Sequence, residues 1–342
     1  MNRVLVTAEH HVSLVCPDCR GQLLLKEDEC ICSRCRRSFL TLLGVPDLRI
    51  ATDTWIDYGA DLDLARSLVA QFADATSAEL VGRVWESRAA IPEDLLKRRI
   101  REIAQAQSNY LAELSPGGWI GQLLDQHEVR TCLEVGSGTG AFLGAVSRHA
   151  LRVVGVDVSM SWLVVARKRL EEQGISCQLV CACVEQLPFE DAAFDLAVSL
   201  DVLEHVSDRD RMVQELRRTS RTGGLVICST PNRFSLSPEP HVGLFGVGYL
   251  PRHLMQKYVS CRRGMSYEHT YPLSRRDLRG LFQRGFTCSI RLPRLREADI
   301  ETFSRPKKLA AKLYNGAIGF RVFRLIVAPI APFFHVIAIK FG

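Results

Sequence analysis

Beyond Trp119 the chain alternates short apolar runs with longer segments whose apolar positions recur at helical spacing. The runs at 131–135, 152–156, 177–182, 194–200 and 225–229 predict strands. The segments at 141–149, 161–173 and 209–220 predict the intervening helices, the last stopped by Thr222-Gly223-Gly224. A further helix is expected at 274–284 and a sixth strand at 286–292. Strands alternating with helices are the signature of an α/β domain built on a doubly wound, mostly parallel sheet.

The pattern differs on either side. Residues 12–49 read as short strands around two Cys-x-x-Cys turns and end in the turn-like Gly44-Val45-Pro46-Asp47. Residues 60–115 carry helical spacing, as at Leu95, Leu96, Ile100, Ile103 and Ala104, up to the break at Ser115-Pro116-Gly117-Gly118. This helical connector is expected to cover the active site. The main domain is expected over 119–342, with Phe333–Lys340 as a last core strand. Residues 325–339 are uncharged, but Pro329 and Pro332 interrupt them and they fall short of the roughly 20 residues of a spanning helix. Residues 300–332, basic and then apolar, are instead expected to form an interfacial insert that can lie on a membrane.

Composition narrows the class. With 342 residues, 47% hydrophobic and 24% charged, the chain is neither disordered nor a multi-spanning membrane protein, and two or three structural units fit. The net charge of +6 is uneven: from Leu250 onward 18 Lys and Arg face 5 Asp and Glu, leaving the earlier part net acidic. A basic tail suits a phosphorylated lipid, a membrane surface or RNA, and equally a solvated face. Twelve cysteines would suit a secreted disulfide protein, yet residues 1–22 lack the apolar core and cleavage site of a signal peptide. Cytoplasmic residence is the expectation, with membrane association through the tail as an alternative. Eight of the cysteines are scattered and read as small hydrophobes.

Chemistry concentrates in Leu133-Glu134-Val135-Gly136-Ser137-Gly138-Thr139-Gly140, a strand entering a glycine turn and then a helix. Glycines let the backbone turn tightly and approach a ligand closely. About twenty residues on, Asp157 ends the second strand, where an acid accepts hydrogen bonds from both ribose hydroxyls of a nucleoside cofactor. The G-x-G-x-G spacing and the acid Glu134 before the turn argue against a pyrophosphate and for a cationic cofactor.

With these residues the chain resembles the class I, type 11 S-adenosylmethionine-dependent methyltransferases, from about Cys132 to Phe286. The resemblance extends through Gln186-Leu187-Pro188-Phe189, Phe194-Asp195, Asp201-Val202-Leu203-Glu204-His205-Val206 and Gly223-Gly224. It implies a Rossmann-like, seven-stranded sheet. It implies that Glu134, Gly136, Ser137, Gly138 and Gly140 form the methionine-end turn, that Asp157 binds the ribose, that Val158 packs on adenine, and that Leu200 flanks the sulfonium through its backbone. One departure stands out: Cys183 occupies the position where the family commonly has an acid for the adenine amino group, and Glu185 is the expected substitute.

An oxygen acceptor needs a general base. His205 follows the fourth strand, and by resemblance faces the pocket, although a structural role is the alternative. The segment Thr230-Pro231-Asn232-Arg233 and the loop through His241 to Pro251 resemble the acceptor side of ubiquinone-pathway O-methyltransferases and of enzymes acting on glycans or lipids. His241 is thus the second candidate base, and His269 a third.

Cys16-Pro17-Asp18-Cys19 and Cys32-Ser33-Arg34-Cys35 are paired knuckles suited to tetrahedral Zn²⁺. The module resembles the zinc-ribbon activators of tRNA and release-factor methyltransferases and the N-terminal ribbon of 23S rRNA guanine methyltransferases. A four-Cys site has no open position, so the expected zinc is structural. The leading expectation is methyl transfer to an oxygen of a small molecule, lipid or glycan precursor. RNA base methylation with the ribbon contacting RNA, and a non-catalytic cofactor-binding subunit, remain as alternatives.

Overall fold

The computed structural model describes residues 11–26, 28–51, 56–87, 91–301 and 304–342. Residues 1–10, part of the segment on which the signal-peptide expectation rests, lie outside it. The N-terminal module is a four-stranded antiparallel sheet of β1 (Leu23–Leu25), β2 (Glu29–Cys32), β3 (Ser38–Leu42) and β4 (Val45–Pro46). The connector is three helices, α1 (Tyr58–Val69), α2 (Ser77–Glu86) and α3 (Glu93–Leu114). Thr76 and Glu79 close a reciprocal capping box at the start of α2, which fixes where that helix begins.

After α4 (Trp119–Leu124) come β5 (Thr131–Val135), α5 (Ala141–Val146), β6 (Arg152–Asp157), α6 (Met160–Glu172), β7 (Gln178–Cys181), β8 (Phe194–Leu200), α7 (Arg209–Thr219) and β9 (Ser220–Pro231). Then follow α8 (Arg252–Arg263), α9 (Arg275–Phe282), β10 (Phe286–Arg291), α10 (Glu297–Glu301), α11 (Arg305–Ala317), α12 (Arg321–Val327) and β11 (Phe333–Lys340). These strands form a seven-stranded sheet in the order β10-β11-β9-β8-β5-β6-β7, in which β11 alone runs against its neighbours. Strand order reverses between β5 and β8, and ligands in such sheets bind outside the carboxyl ends of the strands at that point. The Rossmann-like fold expected from the sequence is therefore the observed one.

All five residues of β5 and all four of β7 are buried, as strands covered on both faces require. β9 starts earlier than expected: Thr222-Gly223-Gly224 does not separate helix from strand but lies inside β9, where the register with β8 shifts. Gly223 takes a positive φ of 76° there, which lets the strand absorb the irregularity.

The N-terminal module docks on the edge of the sheet. Asp47 bridges Cys181 in parallel, the Leu48 N–H donates to the Cys181 carbonyl at 2.7 Å, and Arg20 donates to the Phe189 carbonyl at 2.7 Å. β7 is thereby capped rather than left as an open edge. Val12, Leu14, Leu23, Phe39 and Leu48 join the apolar core that lies on this side of the sheet. Among the described residues no helix is long and apolar enough to cross a membrane.

Candidate active site

A cavity of about 830 Å³ opens over the carboxyl ends of β5, β6 and β8. Gly136, Gly138, Asp157, Val158, Glu185, Leu200 and His205 line it, and so does one side of α1 through Ala60, Asp61 and Leu64. The connector does cover this pocket.

The glycine turn is built by conformation and by close approach. Gly136 has φ 77°, and a Cβ there would stand 2.2 Å from a methyl of Val202; Gly138, at φ 48°, faces open space where its backbone meets the cavity. Gly140 serves packing instead: a Cβ would stand 3.1 Å from that of Ala166 on α6, away from the cavity lining. Ser137 is likewise buried behind the lining.

Asp157 is held by two backbone donors, Gly138 N–H at 2.8 Å and Ser159 N–H at 2.9 Å, which aim its carboxylate along the cavity edge. Glu134 lies behind Val135 and Gly136, fully buried, and its Oε2 has no hydrogen-bond partner. Burial, then the charge of Asp157, raises its carboxyl well above the usual range. A buried carboxyl with one oxygen left without a partner, beside a second acid, favours a cation in this corner. Asp157 and the backbone of Gly136 and Gly138 on the lining, with the acid Glu134 behind them, are groups that suit a cationic nucleoside cofactor such as S-adenosylmethionine.

At the end of the cavity where the resemblance puts the adenine, Cys183 Sγ lies 3.0 Å from the Tyr58 hydroxyl of α1. Glu185 lines the same end, its Oε1 accepting from the Ser207 hydroxyl at 3.3 Å.

The wall beside Val158 is made by residues that the sequence reading missed. Asp61 on α1 accepts from the Met160 N–H (2.7 Å) and from the hydroxyls of Ser159 and Ser161 (both 2.8 Å), capping α6 from outside. Arg49, 1% exposed, bridges Asp47 at 2.5 Å and Asp61 at 2.9 Å and donates to the Val158 carbonyl at 3.0 Å. The N-terminal module, the connector and the cavity wall thus share one buried ion cluster.

A second constellation stands where β8 and β9 end. His205 Nε2 lies 2.9 Å from His241 Nε2, and His241 Nδ1 lies 2.6 Å from Glu239 Oε1. Glu239 also accepts the backbone N–H groups of His241 and Val242, at 2.8 and 3.0 Å, which locks the loop. The Thr230 hydroxyl donates to Glu204 Oε2 at 2.9 Å, while Glu204 Oε1 faces His241 Nε2 at 3.8 Å. Burial, reinforced by Asp201, pushes the Glu204 carboxyl up to about 8. Burial and the charge of His241 press His205 down to about 3. Burial acts to lower His241 too, but the bond to Glu239 and the acids around it win, and its value is raised. His269 takes part through its backbone, which hydrogen-bonds His205.

The acceptor-side loop is anchored from several directions. The Asn232 amide donates to the Pro329 and Ala331 carbonyls, both at 2.8 Å, and Arg98 of α3 donates to the Pro240 carbonyl. Arg263 pairs with Asp94 of α3 at 3.1 Å.

In the N-terminal module the four cysteines converge: Cys16 and Cys35 Sγ lie 3.8 Å apart, and Cys19 and Cys32 Sγ 3.4 Å apart. Four sulfurs at about 2.3 Å from a tetrahedral Zn²⁺ would be roughly 3.8 Å from one another, so the donor set fits that ion.

Part of the chain is similar to known methyltransferases. Residues 133–228 match the family model described as a methyltransferase domain. A ubiquinone biosynthesis O-methyltransferase of Coxiella burnetii is 35% identical over 101 residues, covering 30% of this chain and 43% of that protein. A probable S-adenosylmethionine-dependent methyltransferase of Mycobacterium tuberculosis is 34% identical over 109 residues, covering 32% of this chain and 38% of that protein. The chain spans less than half the length of these curated relatives. Among solved structures, phosphoethanolamine N-methyltransferase 2 of Haemonchus contortus with S-adenosyl-L-methionine is 18% identical, with a TM-score of 0.43, over 72% of this chain and 60% of that one. Residues 133–228 are thus similar to a methyltransferase domain, and they lie within the Rossmann-like seven-stranded sheet.

Proposed function

We propose that the protein transfers a methyl group from S-adenosylmethionine to an oxygen of a small-molecule, lipid or glycan-precursor acceptor. The observation that carries this reading is the Glu204, His205, His241 and Glu239 constellation at the end of β8, beside the cavity that Leu200 lines. S-adenosylmethionine supplies an electrophilic methyl group, and the acceptor must present an oxygen that sheds its proton as the C–O bond forms and the C–S bond breaks. Asp157 orients the cofactor's ribose, Glu134 contributes negative charge from behind the lining at the amino-group end, and α1 covers the cavity. His205 and His241 engage the acceptor hydroxyl. Glu239 fixes the ring of His241, and Thr230 fixes Glu204. Glu185 takes the adenine contact in place of the acid that Cys183 replaces.

The ribbon holds a structural zinc, and its contacts with β7 and the Arg49 cluster support a role within this chain. A lipidic acceptor within the class is supported by α11 and α12. None of the seven residues of α12 is buried; Val322, Phe323, Leu325 and Ile326 are all exposed, and no acid occurs after Glu301 among seven Lys and Arg. Such a face suits an anionic membrane surface.

Labelled S-adenosylmethionine incubated with the protein and fractionated extract tests the reading. Label is expected in the lipid or small-molecule pool, lost in His205→Ala and His241→Ala. Label confined to RNA, or cofactor binding without transfer to any pool, would overturn it.

A further inference from the structure

Three arginines from three elements converge just outside the paired histidines. Arg209 opens α7, Arg233 follows β9 on the acceptor-side loop, and Arg252 opens α8. The segment 271–273 passes between them. Arg209 lies over the Tyr271 ring at 5.0 Å, Arg252 Nη2 stands 3.5 Å from the Pro272 carbonyl, and the Arg233 N–H donates to the Leu273 carbonyl at 2.9 Å. Two bonds tie the cluster to the site. The Tyr271 N–H donates to the Glu204 carbonyl at 2.7 Å, and Arg209 Nη1 donates at 2.7 Å to the carbonyl of Val206, which lines the cavity.

Carbonyl oxygens fix these guanidiniums without neutralising them. Arg233 donates Nε to the Gly248 carbonyl at 2.9 Å and Nη2 to the Leu250 carbonyl at 3.2 Å. Among the described residues none of the three arginines pairs with an acid. Asp277 acts on Arg209 and Arg233 from a distance, but its Oδ2 already accepts the N–H and the hydroxyl of Ser274, both at 2.8 Å; Asp210 is exposed. Burial, then the charge of Arg252, lowers the pKa of Arg209 and of Arg233. Like charges partly removed from water cost free energy that an anion among them recovers. The first turn of α8 faces the same need: it follows Pro251 with no side-chain cap and holds no acid, so its N–H groups are open to an anion. Three guanidiniums, each with five donors, suit the several oxygens of a phosphate better than the two of a carboxylate.

We propose that Arg209, Arg233 and Arg252, with the first turn of α8, bind a phosphate or diphosphate group carried by the acceptor. Binding of phosphate stands on its own; that the acceptor carries it rests on the O-methyl transfer reading. The phosphate is not a reactant: it keeps all its bonds and holds the acceptor with its hydroxyl toward His205 and His241. Phosphorylated sugars and phosphate-linked lipids are acceptors of this kind.

Inorganic diphosphate is the probe, titrated calorimetrically into the full-length protein with its ribbon metal in place. One site per chain is expected, weakened by salt. Arg209→Gln and Arg252→Gln should each weaken it about tenfold, whereas Lys257→Gln, at an exposed position further along α8, should leave it unchanged. Cofactor affinity and the thermal midpoint show that each variant is folded. In the extract pool that takes label, diphosphate should compete with the acceptor and not with the cofactor, and Arg252→Gln should raise the acceptor KM with little change in kcat. Absence of a diphosphate site in the wild-type chain would overturn the proposal, as would unchanged affinity in folded Arg209→Gln and Arg252→Gln. Loss of anionic-vesicle binding in Arg252→Gln, with no competition by diphosphate, would give the cluster to a membrane headgroup and overturn the acceptor assignment. A diphosphate site in a protein that methylates no acceptor would sink the O-methyl transfer reading and leave the phosphate site standing.

Discussion

Replacing Asp61 by alanine tests whether ribbon, connector and cofactor pocket form one unit. The substitution removes the acceptor of the Met160 N–H and of two serine hydroxyls, and it strips Arg49 of one of its two carboxylate partners. The guanidinium is 1% exposed, so water does not replace the lost charge. Breaking a buried ion pair costs about 3 to 5 kcal/mol. Asp47 still pairs with Arg49, so the lower end applies, about 3 kcal/mol, or roughly 150-fold in the folding equilibrium. For a chain of 342 residues, an unfolding entropy of about 2 cal/mol/K per residue converts this into a midpoint lower by about 4 °C. Because the same contacts hold Val158 and Ser159 on the cavity wall, affinity for S-adenosylmethionine should fall by about tenfold or more. Calorimetric titration and differential scanning calorimetry read the two effects. Asp63→Ala, on an exposed position of the same helix, is the control and should leave both unchanged. A fall of less than about 1 °C with unaltered affinity would refute the reasoning.

Glu185→Ala should weaken cofactor binding several-fold by equilibrium titration; unchanged affinity would return the adenine contact to Cys183 or to backbone. Purified protein should carry one zinc per chain by elemental analysis, and stripping it with a strong chelator should lower the thermal midpoint; zinc well below one per chain would remove the ribbon assignment. Sedimentation with vesicles should show binding to anionic but not neutral lipid, weakened by salt and by Phe323→Asp; equal behaviour of both vesicles would leave α12 without a membrane role. His335, stacked on Trp119 at 4.2 Å, is pressed down by burial to about 4. Its unfolded value is about 6.5, so the folded state binds fewer protons between these values. Its stabilising effect is complete above about pH 6.5 and is lost as pH falls toward 4, by at most about 3 kcal/mol. Urea unfolding of His335→Phe should show a shallower pH slope in that window, and identical slopes would rule the residue out.

Much of the protein was legible in the chain itself because local spacing reports local constraint. Runs such as 131–135 and 194–200 are mostly apolar on both alternating faces, as in a strand covered on both sides. The glycine turn and Asp157 were readable because a positive φ and a strand-end acid are both set within about twenty residues of chain. The cysteine knuckles were readable for the same reason.

The tertiary structure decided which distant residues share a site. Nothing local to Asp61 announces that it caps a helix about a hundred residues later, or that Arg49 joins it from the ribbon. Glu239 stands two residues before His241, a spacing available in the sequence, but its meaning depends on a loop held by Arg98 from α3. Gly140 shows the converse: the motif placed it with the cofactor, while the crossing of α5 over α6 made it a packing contact. Periodicity records how deeply a residue is buried and which backbone angles it tolerates. It is silent about partners, because those are set by the order in which crossovers lay strands side by side, and here that order brought Glu204, His205 and His241 together at the end of one strand.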